Sequence, residues 1–255
     1  MSVEGTGPAT GAASESFGFR EVGAGEKKPL VRGVFDSVAP RYDLMNDLMS
    51  AGIHRLWKRA MVSTLAPRAG QRLLDVAGGT GDIALRIRAR AEAALTICDI
   101  NRSMLVVGRN RALDRGIVDG IDWVCGDAES LPVASGSVEG YTIAFGLRNV
   151  TDIDAALAEA RRVLRPGGRF LCLEFSKLVL PSLERLYDIY SFEVLPRLGR
   201  WVAGDAESYR YLAESIRRFP PQAELAERMR AAGLARASYL NMTGGVVALH
   251  SGWRI

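Results

Sequence analysis

From Gln71 onward the chain alternates short apolar runs with segments whose apolar residues recur at helical spacing. The runs Arg72–Val76, Ala94–Asp99, Ile121–Cys125, Val138–Phe145 and Arg169–Phe175 predict buried strands. The segments between them, Ile83–Ala89, Ser103–Asp114 and Ile153–Leu164, predict helices. Such alternation means right-handed βαβ units and a parallel sheet. Pro166-Gly167-Gly168 predicts a sharp stop after the last of these helices. The alternation then pauses, and 176–232 reads as helices rich in aromatics, among them Tyr190, Phe192, Tyr209 and Tyr211. Leu234–Leu240 and Gly245–His250 predict two last strands. The four residues Asn241 to Gly244 that join them are too few for a parallel crossover, so this pair is antiparallel.

The pattern predicts an α/β, Rossmann-like fold: a mostly parallel seven-stranded sheet ending in an antiparallel C-terminal hairpin, with helices on both faces. Ahead of it, Met1 to Pro29 is rich in Gly, Ala and Ser and lacks apolar periodicity, so residues 1–29 are expected to form a disordered tail. Residues 30–255 are expected to form a single domain. Its segment 31–65 reads as short helices broken at Pro40 and Gly52, and 176–232 as a helical insertion that covers a substrate.

At 255 residues the chain is long enough for one large domain, and a hydrophobic fraction of 48% with 24% charged residues is ordinary for a soluble protein. A net charge of +4 with scattered arginines gives no nucleic-acid groove but leaves room for contact with an anionic membrane surface. No apolar stretch is long enough to span a bilayer, and the first residues lack the apolar core of a signal peptide. The expected location is the cytoplasm, with any membrane contact peripheral and on the inner face. Cys98, Cys125 and Cys172 are odd in number, have no metal-site spacing, and are expected to sit in buried strands. No metal is expected.

The chemistry begins at Leu73-Leu74-Asp75-Val76-Ala77-Gly78-Gly79-Thr80-Gly81-Asp82, a strand feeding a glycine-rich turn that opens a helix. Glycines allow close backbone approach to a ligand, and the helix N-terminus offers free N–H groups. Asp75-x-Ala77-x-Gly79-x-Gly81 resembles the nucleotide loop of methyltransferases that use S-adenosylmethionine (SAM), with alanine at one familiar glycine position. Gly79-x-Gly81-x-x-Ala84 also fits a dinucleotide fingerprint, with Asp99 about 20 residues on, where a ribose-binding acid is wanted. The antiparallel end favours the first reading, because two dinucleotide-binding halves would supply further βαβ units.

Ligands of an open parallel sheet bind beyond the carboxyl ends of its strands. Asp75 closes the first strand, Asp99 the second, and Asp127 follows the third. Asp99 can accept both ribose hydroxyls of SAM. Asp127 can accept from the adenine amino group, with the Ala128 N–H meeting a ring nitrogen. Thr80 and the Gly79 and Gly81 backbone suit the methionine end. The bland alternatives are that Asp75 only caps the loop and that Asp127 and Glu129 are solvated turn residues. Arg148 and Asn149 directly follow the fourth strand, which places them over a reaction site. On the bland reading Arg148 pairs with a surface carboxylate and Asn149 caps a turn.

Over about Val31 to Ile255 the chain resembles the ubiquinone/menaquinone biosynthesis C-methyltransferase family. The resemblance rests on Val34 to Asp47, with its Arg41-Tyr42-Asp43-Leu44-Met45-Asn46 core, the Asp75 loop, and Phe145 to Asn149. It continues in Ser191 to Pro196, Ser208 to Arg217, and Asn241 to Gly245. It implies methylation of a ring carbon of a polyprenylated quinol, either 2-polyprenyl-6-methoxy-1,4-benzoquinol, demethylmenaquinol or both. It also implies SAM contacts at Thr80, Asp99, Asp127 and Ala128, and catalytic roles for Tyr42, Arg148 and Asn149. Peripheral membrane contact, other quinone-biosynthesis enzymes and a homodimer are the partners compatible with it. An NAD-dependent oxidoreductase and a non-catalytic SAM-fold subunit of a quinone-biosynthesis complex are the alternatives. The family's serine before Phe-Gly is Ala144 here, so any SAM contact at that position must come from the backbone.

Overall fold

The structure, a computed structural model, describes residues 14–38, 46–47, 50, 52–179 and 206–255. It opens with a hairpin of β1 (Ser14–Phe17) and β2 (Arg20–Gly23), followed by α1 (Lys27–Val38) and α2 (His54–Leu65). The alternating part comprises β3 (Arg72–Val76), α3 (Asp82–Arg88), β4 (Ala94–Asp99), α4 (Arg102–Asp114), β5 (Ile121–Cys125), β6 (Val138–Ala144), α5 (Ile153–Val163) and β7 (Leu164–Phe175). Helices α6 (Ala206–Arg218) and α7 (Gln222–Ala231) then lead to β8 (Ala235–Met242) and β9 (Val247–Trp253).

The seven strands run in the order β5-β4-β3-β6-β7-β9-β8, with β3 to β7 parallel and β8 and β9 antiparallel. The central strands are apolar throughout because both faces are covered. On one face Tyr141, Phe170 and Leu157 pack with Leu225 and Met229 of α7. On the other, Trp57, Met61, Ile87 and Leu105 of α2, α3 and α4 pack against Leu73, Ile97 and Leu171. The strand order reverses between β3 and β4 on one side and β6 on the other, which opens a crevice at their carboxyl ends.

Three expectations are corrected. Residues 14–29 form a hairpin and the first turn of a helix rather than a structureless tail. Their order comes from contacts with α6 that composition cannot reveal. Phe17 stacks on Tyr211, the Phe19 N–H donates to Glu214, and Arg218 donates to Ser16 and Glu21. The helix ahead of Pro166-Gly167-Gly168 does end at Val163, but this triplet is not a loop. It lies in the irregular first half of β7, where the register with β6 shifts and Gly167 and Gly168 bond to the Arg254 backbone. Cys98 and Cys172 are buried as expected, but Cys125 is exposed, because β5 is an edge strand. Among the described residues no group of His, Cys, Asp and Glu could hold a metal ion.

Candidate active site

The crevice forms a partly open cavity at the carboxyl ends of the parallel strands. Its floor is the end of β3 and the turn after β6: Val76, Ala77, Gly79, Phe145 and Gly146. One wall carries Asp99, Ile100, Asn101 and Met104, another carries Gly126 to Glu129, and a third carries Asn149 to Thr151. Val31, Arg32 and Phe35 of α1 form the roof.

The floor is tightly built. A Cβ on Gly146 would lie 2.4 Å from that of Ala77, so the two turns meet only because one residue has no side chain. Ala77 and Phe145 both adopt left-handed backbone angles, with φ of 49° and 57°. Such angles are costly for non-glycine residues and concentrate where a site dictates the backbone.

Asp99 ends β4 with its carboxylate gripped from two sides. Gly79 N–H donates to Oδ2 and Asn101 N–H to Oδ1, each at 2.8 Å. Gly79 reaches it through a left-handed φ of 52°. Burial raises the Asp99 pKa to about 6, and the two backbone bonds hold it down. Each oxygen keeps lone pairs for a ligand diol. Asn101 caps α4 by accepting from Met104 N–H, and its Nδ2 donates to Asp36 of α1 at 3.0 Å, tying the roof to the wall.

Asp127 and Glu129 are not solvated turn residues. Asp127 accepts from Glu129 N–H and from Lys28 Nζ of α1. Glu129 accepts from Lys28 too, and from the N–H groups of Thr151 and Asp152. One ammonium thus links the roof to the wall of Asp127 and Glu129.

Of the expected SAM residues, Gly79, Asp99, Asp127 and Ala128 line the cavity, as does the expected catalytic residue Asn149. Asp75, Thr80, Gly81 and Arg148 are not among its lining residues. Asp75 is buried beneath the loop, where it accepts from Thr142 Oγ1 at 2.6 Å and its Oδ2 has no partner. Burial raises its pKa to about 7. Thr80 is turned onto Arg111 of α4, which donates to its hydroxyl. Gly81 caps α3 against Trp123. Tyr42 lies outside the described residues.

Arg148 is paired, but with a buried carboxylate rather than a surface one. Its Nη1 donates to Glu174 Oε1 at 2.8 Å and to the Phe145 carbonyl, and the two side chains are 3% and 1% exposed. Burial raises the Glu174 pKa and the guanidinium opposes that. Arg148 lines a second, open cavity together with Lys27, Tyr211 and Arg218, and Val150 and Thr151 line both cavities. His54 is buried against Ser50, and its pKa is lowered to about 4, first by burial. His250 is buried against the Gln222 carbonyl. Both are structural.

Sequence reasoning missed Lys28, Glu174 and Tyr211. Asn101 had a signal, a helix N-cap directly after the Asp99 strand. Tyr211 stands in the Ser208 to Arg217 segment that carries the resemblance, but nothing there points to Asn149; Lys28 and Glu174 had no signal, because their partners lie 26 to 101 residues away.

Fold and cavity together define a Rossmann-like SAM-dependent methyltransferase. A model of the ubiE/COQ5 methyltransferase family matches residues 21–254. The chain belongs to that family. A curated relative from Brucella abortus (strain S19), "Ubiquinone/menaquinone biosynthesis C-methyltransferase UbiE", is 57% identical over 97% of this chain and 93% of its own. The protein of the same name from Rhodopseudomonas palustris (strain TIE-1) is 58% identical over 94% and 96%. Among solved structures, a possible histamine N-methyltransferase from Thermotoga maritima superposes with a TM-score of 0.61 at 18% identity, covering 88% of this chain and 99% of that one. A chain of the complex between a Haloferax volcanii methyltransferase activator and a putative methyltransferase gives 0.63 at 18%, covering 88% and 97%. The last two likenesses concern the fold alone.

Proposed function

We propose that this chain transfers the methyl group of SAM to a ring carbon of a polyprenylated quinol, in ubiquinone or menaquinone biosynthesis. The carrying observation is the Asp99 carboxylate, held by two backbone N–H groups in a cavity that Asn149 also lines. The residues fit SAM. Asp99 would accept from the ribose hydroxyls, Asp127 and the Ala128 N–H would receive the adenine edge, and Ile100, Met104 and Phe35 would flank it. Gly79 and Ala77 would hold the methionine end.

SAM brings an already activated methyl, so its departure requires no acid or metal. The protein's task is the acceptor. Ionising a quinol hydroxyl raises electron density on the neighbouring ring carbon, and a donor aimed at that oxygen favours the phenolate. Asn149 supplies the donor on the cofactor side of the 147–151 turn. Arg148 supplies a fixed cation on the other side, where the second cavity admits the acceptor. The Glu174 pair holds the guanidinium in place. Alignment of methyl and carbon by the two walls would supply much of the remaining acceleration; S-adenosylhomocysteine leaves, and the methylated ring carbon gives up its proton to solvent to restore the aromatic ring. The apolar tail of the acceptor leads to peripheral contact with a membrane. No helix among the described residues is long and apolar enough to cross one.

The test is to supply the purified chain with SAM and a short-tailed demethylated quinol, and to analyse the product by mass spectrometry. In parallel, quinones are profiled in cells lacking the protein. A C-methylated ring and accumulation of the demethylated quinone are expected. O-methylation, or SAM binding without transfer, would overturn the reading.

A further inference from the structure

Tyr211 lies outside the motif carried by the nucleotide loop and the 147–151 turn, yet it ends on Asn149. It is buried in α6, and its hydroxyl donates to Asn149 Oδ1 at 3.0 Å. Its ring stacks on Phe17, with centroids 4.3 Å apart and planes 16° from parallel. The phenol cannot swing away without breaking that stack and stranding a buried hydroxyl.

An amide has an acceptor end and a donor end. With Oδ1 engaged by Tyr211, the Nδ2 end has no acceptor among the described residues, on a side chain that lines the cofactor cavity. Rotating the amide by half a turn would exchange the two ends and present an oxygen to the acceptor. We infer that Tyr211 is a positioning residue that holds the Asn149 amide by its Oδ1 with the N–H end toward the cofactor cavity, where the developing phenolate of the acceptor ring meets a donor. Burial pushes the Tyr211 hydroxyl well above its usual pKa, which keeps it a donor across the working pH range. The inference rests on the assignment of Asn149 to the acceptor site.

The experiment compares Tyr211→Phe, Asn149→Ala, Asn149→Asp and the double variant Tyr211→Phe/Asn149→Ala. For each, kcat against pH, quinol KM, SAM affinity and melting temperature are measured. Tyr211→Phe keeps the ring on Phe17, so melting temperature and SAM affinity are expected to hold. Its kcat should fall about tenfold, the loss of one oriented hydrogen bond. Weaker phenolate stabilisation should move the ascending limb of the pH profile up by about one unit. The double variant should be no slower than Asn149→Ala, as two residues acting through one group require. Asn149→Asp, which still accepts from Tyr211 but presents an oxygen, should be slower than Asn149→Ala whatever the fate of Tyr211→Phe. A wild-type kcat and pH profile in Tyr211→Phe, with Asn149→Ala impaired, overturns the role of Tyr211 alone. A wild-type kcat in Asn149→Ala overturns the assignment of Asn149 and the inference with it.

Discussion

Lys28 Nζ meets the Asp127 carboxylate at 2.7 Å across 99 residues of sequence, and the same ammonium reaches Glu129 at 2.8 Å. This joins the roof helix to the wall on which adenine is proposed to bind. Part of the segment read from composition as a disordered tail therefore lines the cavity. Deleting Met1 to Lys28 is expected to weaken SAM binding about tenfold, because the hairpin that anchors α1 to α6 goes with it. Lys28→Met keeps the stem and removes only a half-exposed ion pair, so a twofold to fivefold loss, roughly, is expected. Calorimetry on both variants is the check. Wild-type affinity in the truncated protein would return the segment to a passive tail.

Asp99 leads to a pH prediction. Its folded pKa of about 6 lies above the usual carboxylate value because it is buried. Ribose hydroxyls need the ionised form as acceptor. SAM affinity should be flat above about pH 7 and fall with acidification below about pH 6, up to tenfold per unit. The ligand-free fold should respond in the opposite sense. A raised acid pKa adds stability as pH falls from about 6 toward the unfolded value. Asp99→Ala should bind SAM more weakly by about 2–4 kcal/mol and lose the pH dependence. A pH-independent wild-type affinity between 5 and 8 would remove the carboxylate from the ribose site.

The sheet was largely legible, and so was one end of the site. The bounds of β3, β4 and β5 follow from apolar runs closed by Asp, Gly or Cys, a signal local to each strand. Gly79, Asp99 and Asp127 were legible for the same reason, since strand ends mark the crevice. Arg148 was read as catalytic or paired at the surface. It is paired, but to Glu174 at the interior end of β7, a partner that no spacing rule reaches. Lys28 and Tyr211 owe their roles to contacts made only after the hairpin and α6 close over the sheet. The irregular start of β7 was misread because Pro-Gly-Gly marks a bulge as readily as a helix stop.

Asp75 offers a contrast with Asp99. It faces Thr142 rather than the cavity, and burial lifts its pKa to about 7. Through this group the wild-type fold loses stability as pH rises from about 4 past 7. Asp75→Asn removes that titration. The stability difference between variant and wild type should shift toward the variant by an amount on the order of 2 kcal/mol between pH 5 and 8. SAM affinity should stay within about threefold. Denaturant titrations at the two pH values, with calorimetry alongside, test both statements. A loss of SAM affinity at least as large as that of Asp99→Ala would move Asp75 into the site.

Arg148 and Glu174 allow the structural and chemical roles of one residue to be separated. Removing one member of a buried pair leaves an uncompensated charge, at a cost of roughly 3–5 kcal/mol, whereas replacing both by apolar groups of similar size is often near neutral. Arg148→Met alone should therefore lower the melting temperature by roughly 10 °C. Arg148→Met/Glu174→Met should recover most of that loss. Turnover should not recover. If the guanidinium stabilises the phenolate from the second cavity, both variants should remain slower by about 100-fold per folded molecule, with SAM affinity unchanged. Arg148→Lys should restore only part of the rate, because an ammonium cannot reproduce the planar fork that serves Glu174 and the Phe145 carbonyl together. Melting temperature, SAM affinity and turnover measured on the same preparations decide the matter. Should the double variant regain the wild-type rate along with its stability, Arg148 acts only by holding the turn, and the donor to the acceptor oxygen is Asn149 alone.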